Sequence, residues 1–382
     1  MNPHAYLNDP AYIKAVESIQ RVDEKGYLYH MDCAYDYYSL PDAFKAVIDA
    51  GCSTFFTKTL EKEHLLCRNY DYSHYFMNDR HNPRTGINVI IENANPKARY
   101  HSIGVADAFW LDYKHGSLHE GSADDGTTDV SSFVVLPFIC MDGINTAGLG
   151  ISIMALSADV NWQEIDYEGA RKKAPYMDTV VEVKKGGLPD SQYAYARQGT
   201  IAVNDSDHRA WSANMIDTST HMENKPYILP PVLMRMILDN CATVEEGIAF
   251  ADRFNIRCVT PGADYHIMIV DKSGKSKLLE WVDNRMNVVD INHATNYRVT
   301  TDDGFHGFCN RDNCLKAGLT RFRNGMREDY AVDLLKLVHQ DYTNGADRGK
   351  TQYSCVYNLE QQTLKIFSFG DFIKSWNYHV PE

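Results

Sequence analysis

Cys52 stands between two small residues, Gly51 and Ser53, at the head of a β-prone run from Thr54 to Thr59. A charged turn, Glu61 to His64, and a second apolar run, Leu65 to Cys67, lead into Arg68, Asn69 and Asp71. This pattern predicts a hairpin, and closing it returns Arg68 and Asp71 to Cys52. A thiol needs a cationic neighbour to ionise near neutral pH, and a carboxylate beside an amine can hold that amine in place. Cys52 therefore reads as a nucleophile supported from the next strand. The alternative is a buried structural thiol followed by an ordinary surface ion pair, which describes most cysteines taken singly.

The elements around it follow from periodicity and punctuation. Before Cys52, residues 11–19 and 41–50 predict helices, with Ile13, Val16 and Ile19, then Phe44, Val47 and Ile48, on their apolar faces. The aromatic stretch 27–38 between them predicts a strand. After it, 88–92 predicts a strand and 117–129 a Gly/Ser/Asp-rich loop. Two apolar runs, 133–140 and 148–155, joined by Met141-Asp-Gly-Ile-Asn-Thr-Ala147, predict a hairpin. Residues 156–224 are polar and turn-rich and read as loops. Residues 227–254 predict helix, divided near 240–245, where Thr243 and Glu246 have capping-box spacing. Strands are predicted at 265–271, 277–281 and 287–289, with Asp271-Lys-Ser-Gly274 as a turn. A helix is expected at 331–339, then late strands from Thr351 and from Thr363.

With 382 residues and ordinary apolar and charged fractions, the chain has room for one large globular domain, and no composition break marks a second. Its net charge of −13 argues against a nucleic-acid surface or an anionic-membrane patch. Nine cysteines form no paired framework, which favours reduced thiols and a cytoplasmic protein. The first residues have neither the basic nor the apolar region of a signal peptide, and no run reaches membrane-helix length. Fifteen histidines are scattered without ligand spacing, so neither a metal nor another cofactor is expected.

Several segments together resemble the choloylglycine hydrolase family, linear-amide C–N hydrolases that include conjugated bile salt hydrolases and penicillin V acylases. Arg68 and Asp71 fall sixteen and nineteen positions after Cys52, as in the family, although Cys67 replaces the Gly that usually precedes the Arg. Asp142, Gly143, Asn145, Gly148 and Leu149 match a further segment, and that alignment places Ala155 where bile salt hydrolases carry Asn and penicillin acylases Tyr. Asn296 in His293-Ala-Thr-Asn-Tyr297, Arg321 in Leu319-Thr-Arg-Phe322, and Thr351-Gln-Tyr-Ser354 complete the resemblance.

The resemblance implies an α+β fold, the four-layer αββα sandwich of N-terminal-nucleophile hydrolases, and a homo-oligomer, dimer or tetramer. It implies that residues 1–51 are a prosegment whose self-cleavage frees Cys52 as thiol and α-amine; a permanent N-terminal subdomain is the alternative. The implied substrate is a small N-acyl amide. Asp71 would orient the amine, Arg68 and Arg321 would lower the thiol pKa and position the site, and Asn296 with the Ala155 N–H would hold the oxyanion. Two other readings stay open: a papain-like thiol hydrolase with an uncut chain, and a non-enzymatic binder on the same fold.

Overall fold

The computed structural model describes residues 8–39, 51–72, 87–111, 131–156, 220–256, 264–282, 284–300, 310–340 and 350–382. The helix expected at 41–50, the loop at 117–129 and nearly all of 156–224 lie outside these. Helix α1 (Pro10–Glu17) starts on a proline, with the Asp9 carboxylate accepting from the Ala11 N–H at 2.9 Å. Strands β1 (Gln20–Arg21), β2 (Leu28–Cys33), β3 (Gly51–Lys58), β4 (His64–Tyr72), β5 (Asn88–Asn93) and β6 (Ser102–Asp107) follow. After them come β7 (Cys140–Asn145), β8 (Leu149–Leu156), β9 (Tyr227–Ile228), α2 (Pro230–Asn240), α3 (Val244–Ala251) and β10 (Asn255–Ile256). The chain continues through β11 (Asp264–Asp271), β12 (Ser276–Val282), β13 (Arg285–Val289), β14 (His293–Ala294), α4 (Asn310–Arg321) and α5 (Glu328–Val338). It ends with β15 (Lys350–Asn358), β16 (Thr363–Ser368) and β17 (Trp376–His379).

The strands form a nine-stranded sheet, ordered β1-β2-β5-β6-β7-β8-β11-β12-β13, and a six-stranded sheet, ordered β14-β3-β4-β15-β16-β17. Strands β9 and β10 pair separately. Every ladder in the two larger sheets is antiparallel except β2 on β5. The fold is α+β, as expected.

Side-chain alternation sets the layers. On β3 and β4, Cys52, Thr54, Phe56, Leu66, Arg68 and Tyr70 face the large sheet, while Phe55, Leu65 and Cys67 join a second apolar cluster with Leu315, Leu319, Leu334 and Leu335 of α4 and α5. The large sheet presents Asp142, Gly150 and Ser152 to the small one. A Cβ on Gly150 would lie 3.0 Å from Leu66 Cδ2, so this glycine sets how closely the two sheets approach. The opposite face carries α2 and α3, where Gly143 abuts Leu238 and Gly247 abuts Ile269. The order is helix, sheet, sheet, helix.

Two local expectations are corrected. Residues 131–139 coil as a 3₁₀ segment, Ser131–Ile139, instead of forming the first strand of a hairpin. Pro137 lies inside it, and a proline in a central strand would remove a ladder donor. The hairpin forms one step later, β7 to β8, turning at Gly148 with φ +82. The helix expected from 227 begins only at Pro230, after two strand residues. The break before α3 is where the capping spacing put it: Thr243 Oγ1 accepts from the Glu246 N–H at 3.2 Å, and Glu246 accepts from the Ala242 N–H at 2.8 Å.

Residues 8–39 are not peripheral. Strand β2 extends the large sheet, and Tyr12, Ile19, Met31, Tyr35 and Tyr37 are buried in the main core. Among the described residues no helix is long and apolar enough to cross a membrane.

Candidate active site

Cys52 is the second residue of β3, and its side chain is fully buried between the sheets. The β3–β4 register pairs Cys52 with Tyr70 and Thr54 with Arg68, so Arg68 lies diagonally across from the thiol on the same face. Arg68 Nη2 donates to Cys52 Sγ at 2.8 Å, and Nη1 donates to Met141 O at 3.0 Å and to Ser152 Oγ and Ile153 O at 2.5 Å. Its Nε lies 3.1 Å from Asp142 Oδ2. The Asp142 carboxylate also accepts from the Tyr353 hydroxyl at 2.5 Å and from the Tyr357 hydroxyl. The guanidinium is thus aimed at the sulfur by the large sheet, and Asp142, expected only as part of a hairpin turn, is the anion that holds it.

Asp71 leaves β4 on the other face. Its carboxylate accepts from Thr351 Oγ1 at 2.5 Å and from Arg311 Nη1 at 3.0 Å. Arg311 stands in the first turn of α4. The same guanidinium donates to the Cys52 carbonyl at 2.9 Å and to Asn296 Oδ1 at 2.7 Å. Since a guanidinium only donates, this contact fixes the orientation of the Asn296 amide. Asn296 Oδ1 then also accepts from the Cys52 N–H at 2.9 Å, and its NH₂ donates to Ala155 O at 2.6 Å.

Of the six residues expected at the site, five come together: Cys52, Arg68, Asp71, Ala155 and Asn296. Arg321 does not. It is exposed at the far end of α4, its guanidinium 5.5 Å from the centre of the Phe322 ring. Ten residues of helix, about 15 Å of rise, separate it from Arg311, which occupies the position expected of it. The missed signal was periodic. Arg311, Leu315 and Leu319 are spaced i, i+4, i+8, so Arg311 belongs to the apolar stripe facing the sheet and Arg321 does not.

Electrostatics divide the groups. Burial pushes the Cys52 thiol up to about 12, against the opposing pull of Arg68, so in the intact chain desolvation outweighs the cation. Burial likewise raises Asp71 to about 6, opposed by Arg311 and Thr351. Burial also raises the Asp142 carboxyl, with Arg68 the main opposing group. Among the described residues no histidine hydrogen-bonds the Cys52 thiol.

Two other features lie apart from this cluster. A cleft of about 640 Å³ at the opposite end of β3 is lined by Lys58, His64, His293, Lys316 and Arg323 among others. His30, Asp32 and Glu92 meet on β2 and β5, with His30 Nε2 at 3.0 Å from Glu92 and 3.7 Å from Asp32. They form a cross-strand ion pair beside the exposed Asp32.

No family model and no curated protein matches the chain. Among solved structures it is similar to two variants of a conjugated bile acid hydrolase from Clostridium perfringens, at 14% and 15% identity, each alignment covering 86% of this chain and 92% of that one, with TM-scores of 0.47. It is also similar to a penicillin V acylase from Agrobacterium tumefaciens, at 13% identity over 83% of both chains, with a TM-score of 0.44. Both kinds of enzyme belong to the family that the sequence segments resemble. The function proposed below rests on the geometry around Cys52.

Proposed function

We propose that this chain is a cysteine N-terminal-nucleophile amidase that hydrolyses the linear amide bond of a small N-acyl compound after cleavage between Gly51 and Cys52. One observation carries the reading: a buried thiol at the start of a strand has an arginine on its sulfur and an asparagine oxygen on its own backbone nitrogen. A structural thiol needs neither. A papain-like site needs an imidazole at the sulfur, and none of the described histidines hydrogen-bonds it.

In the intact chain the nitrogen of Cys52 is an amide and cannot accept a proton. Attack of the thiol on the Gly51 carbonyl breaks the 51–52 bond through a thioester, and water releases the acid of Gly51 and the α-amine of Cys52. That amine has an ordinary pKa of about 7.7–8.0 and serves as base for the adjacent thiol. Asn296 Oδ1, which holds the amide N–H, holds the amine in the same position. Arg311 links Asp71 to both Cys52 and Asn296, so Asp71 acts on the amine through Arg311. The thiolate, paired with Arg68, attacks the substrate carbonyl, the amine half leaves with the proton, and water hydrolyses the acyl-enzyme. The Asn296 NH₂ and the Ala155 N–H are assigned to the developing oxyanion. Ala155 offers no more than a methyl where the family carries Asn or Tyr, which favours acyl groups other than bile acids. A homo-oligomer belongs to the same proposal through the family resemblance, and a cytoplasmic location through cysteines that form no paired framework.

Intact mass and hydrolysis of N-acyl amides followed in one sample test it. Activity should arise with cleavage of the 51–52 bond, read as two masses under denaturing conditions, and be absent in Cys52→Ala. Full activity in a chain whose 51–52 bond is intact would overturn it.

A further inference from the structure

His266 and Glu280 are directly opposed on β11 and β12, and both are fully buried. Neither belongs to the segments that marked the site in the sequence. His266 Nδ1 lies 2.9 Å from Glu280 Oε1, and Nε2 lies 2.8 Å from the Thr295 carbonyl oxygen. A carboxylate and a carbonyl are both acceptors, so each ring nitrogen faces an acceptor and the ring is held between Glu280 and the Thr295 carbonyl. Glu280 uses its remaining capacity on the far side of the same loop. Its oxygens accept from the Val299 N–H at 2.9 and 3.1 Å, the Thr300 N–H at 2.9 Å and the Thr300 hydroxyl at 2.7 Å.

Segment 295–300 follows the two-residue strand β14 and has no helix or strand of its own. These bonds anchor it on both sides of Asn296, one before it and the rest after it. A buried ion pair is weak evidence for stability, and two apolar residues would pack two strands together equally well. What this pair adds is a fixed position for the loop that carries Asn296, whose oxygen meets the Cys52 nitrogen.

We infer that the His266–Glu280 ion pair is a positioning device for the reaction, gripping residues 295–300 on both sides so that Asn296 is held against the nitrogen of Cys52. The inference deepens the function proposed above and rests on it for its catalytic consequence, but the placement of Asn296 can be read without any turnover.

The experiment uses Glu280→Gln in two backgrounds. In the active chain, kcat should fall roughly 10²-fold, the scale of a misplaced reacting group, with KM kept, because substrate binding does not depend on the asparagine's aim. In a Cys52→Ala background the 51–52 bond stays intact, and hydrogen exchange at the residue-52 amide should accelerate roughly tenfold as its acceptor is lost. The His266→Gln and double variants should match the single one, since the pair acts as a unit. If Glu280→Gln does not fold, Thr300→Val, which removes one hydroxyl donor, should shift the same exchange rate in the same direction. An unchanged residue-52 amide in a folded variant overturns the inference whatever happens to activity. Faster exchange in a protein that never hydrolyses amides would leave the positioning standing and remove the amidase.

Discussion

Arg311 offers the sharpest test, because the choice between it and Arg321 separates the geometry from the sequence reading. Its guanidinium makes three bonds, to the Cys52 carbonyl at 2.9 Å, to Asp71 at 3.0 Å and to Asn296 Oδ1 at 2.7 Å. Arg311→Lys keeps the charge but replaces a planar fork by a point donor, so no more than part of this set can be satisfied at once. Each bond involving a charged group contributes about 1.5–3 kcal/mol. Losing one or two while keeping a cation near Asp71 should lower stability by about 2–4 kcal/mol. Turnover should fall further than stability implies, by roughly 10²–10³-fold, because Asn296 loses the contact that sets its orientation. Arg311→Gln also removes the cation that opposes burial at Asp71. The Asp71 carboxyl, already about 6, then rises further, and a larger share is protonated at neutral pH. Arg321→Gln should change activity by less than twofold. Chemical unfolding and steady-state kinetics on the three variants decide it. Wild-type turnover in Arg311→Lys, or a loss in Arg321→Gln equal to that in Arg311→Gln, would refute the reasoning.

In the uncut chain, Cys52 should resist iodoacetamide. A thiol pushed up to about 12 is ionised in roughly one molecule in 10⁴ at pH 8, and fast labelling there would show that Arg68 outweighs burial. The Glu280 carboxyl is held down to about 2 from 4.5: burial alone would raise it, but His266, Thr300 and the Val299 N–H together lower it. Its contribution to stability is therefore present above about pH 4.5 and is lost as pH falls towards 2, roughly 3 kcal/mol at most. Glu280→Gln should flatten that part of the acid-unfolding curve; a curve parallel to wild type between pH 5 and 2 would count against the ion pair. After cleavage, residues 1–51 should remain bound to 52–382 in native mass spectrometry and separate only in denaturant. Their loss on simple gel filtration would mean that β2 is dispensable.

The hairpin around Cys52 was legible because its chemistry is local. An alternating apolar pattern, a charged turn and a fixed register put Arg68 diagonally across from Cys52 on the same face of the hairpin. Strand β8 and the Thr243 cap were legible for the same reason. Arg311 was not, because the dipeptide Arg321-Phe322 drew attention away from the helical stripe on which Arg311 lies. Asp142 was read as a turn residue, yet its role is to hold Arg68 across the gap between the sheets, a contact no local pattern contains. His266 and Glu280 each place an ionisable side chain within the apolar part of its strand. Either alone is unremarkable, and only the register of β11 with β12 makes them a pair.

The placement of residues 8–39 bears on what cleavage at Cys52 would do. Tyr37 and Tyr38 donate to Asp239 of α2 at 2.5 Å, Arg235 pairs with the same carboxylate at 2.6 Å, and Asn93 donates to Tyr37 at 2.7 Å. At the other sheet, Ser368 donates to Asp23 at 2.8 Å, and the rings of Tyr27 and Phe369 stack with centroids 4.0 Å apart. The segment thus supplies β1 and β2 to the large sheet and contacts the small sheet at the end of β16. Expelling it would strip β5 of one of its two partners and leave Asp239 and Arg235 without the hydroxyls that share their burial, a cost of several kcal/mol. Cleavage of a single bond at the head of β3 requires none of that. It converts an amide nitrogen to an amine where Asn296 already holds it, while the anchors of residues 8–39 stay intact. On the proposed function, residues 8–39 would therefore stay with the fold after cleavage, and activation would be a change in one bond rather than the removal of a domain.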